Sequence, residues 1–352
     1  MSNGTSRGRG LSLFGILLPC LAVLSLAVCA RRQEASSGQV PSIAVFIPGV
    51  MSGSPIYEML AQGVERAAAE FSAEVAVIEG GVNQAEWESK LTALAAGGSY
   101  DLIVSSNPSL PALAQSVSAR FPDQHFLLLD GAVQGNPRIY AMRYNQREQA
   151  YMAGHIAALT AADLAESGGP GRAGEPRISL VAGQEYPVMN TIILPGYREG
   201  ALAAAPGCTV DFRVVGNWFD AGKAAELAAD MIRGGAGAIL CIAGGANEGV
   251  LQAAAENGAR VIWFDTNGYA LRPGTVAGSS ILRQDRAAYE KTRDYLEGRL
   301  PFGSSELVGV AEGYVDFIQD DPDYTAAVKP EIREKQAALV DQIRSGRLIL
   351  EE

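Results

Sequence analysis

The chain has 352 residues, 48% of them apolar and 19% charged, with a formal net charge of −11. That length accommodates two domains of ordinary size, and so apolar a chain is not disordered by composition. The acidic balance argues against a nucleic-acid-binding surface, which needs basic groups to neutralise phosphates.

Residues 1–28 read as a leader. Arg7 and Arg9 precede an apolar run, LSLFGILLPCLAVLSLAVC, over residues 11–29. This is the layout of a secretory signal peptide, and its length also admits an uncleaved membrane anchor. The segment LAVC (26–29) resembles a bacterial lipobox, with Val28 where a smaller residue is usual. The resemblance implies cleavage before Cys29 and acylation of that cysteine, with Cys20 as the lesser candidate. Residues 29–41 then form a polar tether.

From residue 42, short runs rich in Val, Ile and Leu alternate with helical stretches. SIAVFIPG, EVAVIEGG, LIVSSN, HFLLLDG and RIYAMRY predict strands, with helices such as IYEMLAQGVERAAAEF and QAEWESKLTALAAGG between them. Such strands, each followed by a helix, imply a parallel sheet covered on both faces. The segment SGGPGRAGEP (167–176) is a loop by composition. The cycle then restarts with RISLVAG, TVDFRVVG, AILCIAGG, RVIWFDTNG and VAGSSIL.

Two such units predict an α/β protein of two Rossmann-like lobes, 42–145 and 146–282, with residues 283–352 crossing over to complete both. Within that last segment SELVGVAEGYVDFIQ reads as one or two strands of hairpin type. KPEIREKQAALVDQIRSG reads as a final helix ended by Gly346.

Ligands of open parallel sheets bind beyond the carboxyl ends of the strands. Two lobes whose strand ends face one cleft would clamp a ligand by hinge closure, as in periplasmic binding proteins of type I. Asp265, after the apolar strand VIWF, is suited to accept two hydrogen bonds from a vicinal diol; a helix cap is the competing role. Asp130 holds the equivalent place in the first unit, where an Asp-Gly turn competes. Trp218 and Phe219, just before a helix start, are placed to stack a flat heterocycle, and Asn217 or Asp220 can cap that helix. Gly245 lies in a glycine turn whose backbone N–H groups can meet a ligand. Asn107 follows another strand end and is either cap or contact. The loop FIPGVMSGSPIYEML carries no Lys or His before its helix; Ser54 and Tyr57 are its candidate contacts.

No metal-ligand spacing is present, and His125 and His155 stand alone. Cys208 and Cys241 are able to bridge in an exported protein, but a reduced Cys241 inside its apolar strand is the favoured reading. No G-x-S-x-G elbow and no nucleophile with an evident His partner is found. The pattern is that of a binder rather than an enzyme, and no cofactor is expected.

The strings DLIVSSN, FPDQHFLLLDG, YMAGHIAALTA, GYREGALAAAP, VGNWFDAGKAAELA, IAGGANEGVLQAAAENGARVIWFDTN and VAGSSILRQDRAAYE resemble the basic membrane protein, or PnrA-like, family. These are lipoprotein substrate-binding components of ABC importers. The resemblance implies a monomeric, lipid-anchored protein on the extracytoplasmic (periplasmic) face that delivers a small molecule to a permease. Members typically bind purine nucleosides. By resemblance, an aromatic at Trp218 stacks on the base, Asp265 binds the ribose hydroxyls and Asp130 faces the base; Asn267 and Arg283 lie in matching strings.

Two departures stand out. The family's Asp and Phe-Asn after the first strand are replaced by Gly53, Ile56 and Tyr57, and its Lys before Arg283 by Leu282. Some members, notably in spirochaetes, bind riboflavin, and the uncharged first loop places riboflavin slightly ahead of a purine nucleoside. Two rival readings remain: a lipoprotein receptor or adhesin without transport, and an exported hydrolase.

Overall fold

A computed structural model describes residues 1, 4, 40–171 and 174–351. The expected leader, Cys20 and Cys29 lie outside the described residues. No described helix is long and apolar enough to cross a membrane.

The strands are β1 (Ser42–Ile47), β2 (Glu74–Glu79), β3 (Leu102–Ser106), β4 (His125–Leu129), β5 (Ile139–Tyr144), β6 (Arg177–Ala182), β7 (Thr209–Val214), β8 (Ala238–Ile242), β9 (Arg260–Asp265), β10 (Val276–Leu282), β11 (Ser305–Val308) and β12 (Val315–Phe317). The α-helices are α1 (Pro55–Glu70), α2 (Trp87–Gly97), α3 (Leu110–Arg120), α4 (Gln146–Glu166), α5 (Leu194–Ala204), α6 (Ala221–Arg233), α7 (Asn247–Glu256), α8 (Gln284–Leu296), α9 (Pro322–Ala327) and α10 (Pro330–Arg344). They build two six-stranded sheets of matching order, β11-β5-β4-β3-β1-β2 and β12-β10-β9-β8-β6-β7.

The central strands β3, β8 and β10 are buried along their whole length, whereas the edge strands β2 and β7 are only partly covered. This is what continuous Val/Ile/Leu runs require when helices cover both faces. Helix starts follow local chemistry. Asn145 caps α4 through the Glu148 N–H, and Asp220 caps α6 through the Lys223 N–H. Gly346, at φ +69°, follows the end of α10 as the sequence predicts.

Helix α4 packs closely on α5 because glycine lets the two backbones touch. A Cβ on Gly154 would sit 1.9 Å from the Tyr197 carbonyl oxygen, and one on Gly200 would sit 2.0 Å from that of Tyr151. Both described cysteines are free and buried: the Cys208 Sγ faces the Thr209 carbonyl and the Cys241 Sγ that of Ile262.

One expectation is overturned. Residues 305–319 do not form a hairpin. β11 joins the first sheet parallel to β5, and β12 joins the second antiparallel to β10. The glycine-bounded segment between them carries the chain from one lobe to the other.

The other two crossings lie at Asn145 and Arg283, and the three are tied together. The Asn145 N–H donates to the Val308 carbonyl at 2.8 Å, and the Arg283 N–H to that of Tyr314 at 2.8 Å. The Val310 N–H donates to Glu148 Oε2 at 2.7 Å. Tyr144 Oη donates to Gln284 Oε1 at 2.5 Å, and Asn145 Nδ2 donates to the Leu350 carbonyl at 3.0 Å.

Candidate ligand-binding site

Strand register places the candidate residues in two rows. In the first sheet Phe46 is level with Ser105, and Ser106 with Leu129. Pro48, Asn107 and Asp130, each just beyond its strand, are therefore neighbours at about 5 Å spacing. In the second sheet Ala182 is level with Ile242, and Cys241 with Trp263. Gly183, Ala243 and Asp265 form the corresponding row.

Asp130 and Asp265 are counterparts in these rows. Each is a non-glycine residue with positive φ, 63° and 71°. That region is disfavoured for a side chain, and such residues concentrate at functional sites. Their side chains converge on the first turn of α4. Gln146 Nε2 donates to Asp130 Oδ1 at 3.2 Å, and Gln149 Nε2 to Asp265 Oδ1 at 3.0 Å. Gln149 is wholly buried and also donates to the Ser280 carbonyl at 3.1 Å. Burial pushes the Asp265 carboxyl up to about 6, against the lowering effect of the Gln149 hydrogen bond. Asp265 does not cap the next segment; Asn267 Oδ1 takes the Tyr269 N–H instead.

Tyr57 links the first loop to this row. Its hydroxyl donates to the Pro48 carbonyl at 3.2 Å and accepts from Asn107 Nδ2 at 3.4 Å. Burial raises its pKa, the Asn107 hydrogen bond opposes that, and the Asp130 charge adds to it. Ser54 begins α1, its carbonyl accepting the Tyr57 N–H at 2.9 Å. The loop's backbone is braced by Glu79, which accepts the Met51 N–H at 2.8 Å.

The second lobe supplies an aromatic wall. Trp218 rests on Gly183, where a Cβ would come within 2.6 Å of the indole. Its Nε1 donates to Gln184 Oε1 at 3.2 Å, and 38% of the residue remains exposed. Tyr186 stands beside it, ring centroids 6.2 Å apart and planes at 44°. Burial raises the Tyr186 pKa well above the usual tyrosine value, with the charges of Asp265 and Asp130 adding to the effect. Tyr186 thus lies in the field of both carboxylates. Gly245 belongs to the single turn Gly244–Ala246, which meets the Trp218 carbonyl.

Three expected residues point elsewhere or stand apart. Asn267 Nδ2 is held by Asp321 Oδ2 at 2.9 Å, and Arg283 Nη2 by Asp316 Oδ2 at 3.0 Å. Phe219 is 79% exposed, its N–H held by Asn217 Oδ1. The two histidines take structural partners: His155 Nδ1 lies 2.7 Å from Gln336 Oε1, and His125 Nε2 lies 3.2 Å from an Arg138 nitrogen. Among the described residues no group of three His, Cys, Asp or Glu gathers to hold a metal ion.

Sequence reasoning missed Tyr186, Gln146 and Gln149. Tyr186 follows a strand end, RISLVAG, and the rule applied to the other strand ends would have reached it. The glutamines sit in the first turn after Asn145, a position that carries no chemical signature of its own.

This arrangement defines a two-lobed α/β fold with two parallel-dominated sheets, and solved structures share it. A solute-binding protein of an ABC transporter system from Aeropyrum pernix K1 superposes with a TM-score of 0.74 at 23% identity, covering 89% of this chain and 93% of that one. A transcriptional activator of the comK gene from Bacillus halodurans gives 0.70 at 18% identity, covering 88% and 100%. Residues 40–348 match the family described as ABC transporter substrate-binding protein PnrA-like, and the chain belongs to that family. Among its relatives, Basic membrane protein A of Borreliella afzelii is 23% identical over 89% of this chain and 93% of its own length. The ABC transporter nucleoside-binding protein BmpA of Lactococcus lactis subsp. cremoris is 25% identical over 47% and 44%.

Proposed function

We propose that this chain is an extracytoplasmic lipoprotein, acylated at Cys29, that captures a flat heterocycle carrying a polyol chain and presents it to an ABC permease. The observation that carries this reading is the pair Asp130 and Asp265, one from each lobe, both held in the left-handed region and both bonded by the first turn of α4. Carboxylates so placed accept hydroxyl hydrogens from opposite sides of a cleft, and Trp218 with Tyr186 offers a ring to stack against.

Two ligand types meet this chemistry. Riboflavin is supported by the uncharged loop at residues 48–54, whose Ser52, Gly53 and Ser54 are small. A purine nucleoside is supported by the named binding of the Lactococcus relative.

The test is the absorption spectrum of the purified mature chain, followed by thermal denaturation with riboflavin, inosine and guanosine. A flavin band, or a stabilisation of about 2.7 kcal/mol at a hundred times Kd, supports the reading. A colourless protein whose melting is unmoved by all three ligands overturns it.

A further inference from the structure

Several hydrogen-bond donors around the two carboxylates are in use. Gln146 Nε2 goes to Asp130, and Gln149 Nε2 to Asp265 and Ser280. Asn107 Nδ2 goes to the Tyr57 hydroxyl, which itself donates to Pro48. Trp218 Nε1 goes to Gln184. Tyr186 differs. Among the described residues its hydroxyl makes no hydrogen bond, although its ring packs against the core and against Trp218. Three residues further on, a π-helical turn, Met189–Ile193, leads into α5. Such turns recur at functional sites.

We infer that the Tyr186 hydroxyl donates to an acceptor on the ring edge of the ligand, beside the atom that carries the polyol chain, and so selects heterocycles that have such an acceptor. The inference rests on the proposed reading of the site as a heterocycle–polyol pocket. The two aspartates accept, so the ligand meets them with its hydroxyl donors. The ring that continues from those hydroxyls lies toward Trp218 and Tyr186. The unpartnered Tyr186 hydroxyl, on the ring that packs beside Trp218, then faces the ring edge nearest the chain. Burial beside two carboxylates keeps this phenol protonated and a donor at physiological pH.

The acceptor is a feature of defined chemistry. In a purine nucleoside it is N3, two bonds from the nitrogen that bears the ribose. In riboflavin it is N1, two bonds from the nitrogen that bears the ribityl chain. One donor therefore serves either ligand, and it discriminates against rings with C–H at that position.

A chemical double-mutant cycle tests this. Binding of inosine and 3-deazainosine, of guanosine and 3-deazaguanosine, and of riboflavin and 1-deazariboflavin is measured by calorimetry for the mature protein and for Tyr186→Phe. The mature protein binds the parent ligand about three- to tenfold more tightly than its deaza analogue. Tyr186→Phe loses the same factor with the parent and no longer tells the two apart. Its melting temperature without ligand stays equal to or above that of the parent protein, because the lost hydroxyl had no partner. Unchanged discrimination in Tyr186→Phe overturns the inference and leaves the reading of the site intact. Failure of the mature protein to bind any of the six compounds overturns that reading and the inference with it.

Discussion

Gln149, wholly buried in the first turn of α4, donates to the Asp265 carboxylate at 3.0 Å. Three residues earlier on the same helix, Gln146 does the same for Asp130. One turn of one helix therefore sets the orientation of carboxylates that come from two different sheets.

Replacing Gln149 with Leu removes the hydrogen bond that lowers the Asp265 pKa. The carboxyl then titrates above its present value of about 6. Ligand affinity at neutral pH falls about tenfold, the scale of a hydrogen bond to a charged group. Calorimetry across pH checks both effects, since the midpoint of the affinity profile moves upward.

In the unaltered protein, folding and binding depend on pH with opposite signs. The folded-state pKa of Asp265 lies above its unfolded value near 3.8, so the folded chain holds the proton more tightly. The contribution of this group to stability is greatest below about 3.8 and is lost as pH rises through about 6. At pH 7 the charged form costs on the order of 2–3 kcal/mol. Binding of a diol needs the carboxylate, so affinity falls about tenfold for each pH unit below about 6. Asp265→Asn is expected to melt higher than the parent at pH 7 and to lose ligand binding. Asparagine also tolerates the positive φ at this position. Paired melting and binding curves decide it.

The aromatic wall depends on a glycine. Trp218→Ala should weaken binding about tenfold or more by removing the stacking surface. Gly183→Ala should weaken it as well, because the new Cβ would stand 2.6 Å from the indole and force the ring away. Indole fluorescence reports the displacement, and affinity that survives both changes would remove Trp218 from the site.

Close backbone contact between α4 and α5 gives a stability test remote from ligand. Gly200→Ala sets a Cβ 2.0 Å from a backbone oxygen that has no freedom to withdraw. A loss of about 3 kcal/mol is expected in chemical denaturation. Gly98→Ala, in open space at a helix end with φ +61°, should cost about 1 kcal/mol through its backbone conformation alone.

The alternating architecture was legible because buried parallel strands must be written as Val, Ile and Leu runs. Asp130 and Asp265 were legible for a related reason, since a carboxylate directly after such a run has little role in packing. The mistaken hairpin at residues 305–319 marks where local pattern ends. Two short strands around glycine look alike whether they pair with each other or, as here, with β5 and β10. Asn267 and Arg283 are occupied by Asp321 and Asp316, partners that only the folded chain brings near. Gln146 and Gln149 are neutral amides of the kind any solvated helix carries. The path of α4 across the lobes is what makes them positioning groups.

Leu350 is buried, and its carbonyl is bound by Asn145 at the first crossing between the lobes. The segment around Leu350 is thus part of the joint. An insertion or substitution that displaces the Leu350 carbonyl would remove its bond to Asn145 at that crossing. A reporter or surface-immobilisation tag belongs on the exposed outer helices if ligand kinetics are to be measured without disturbance.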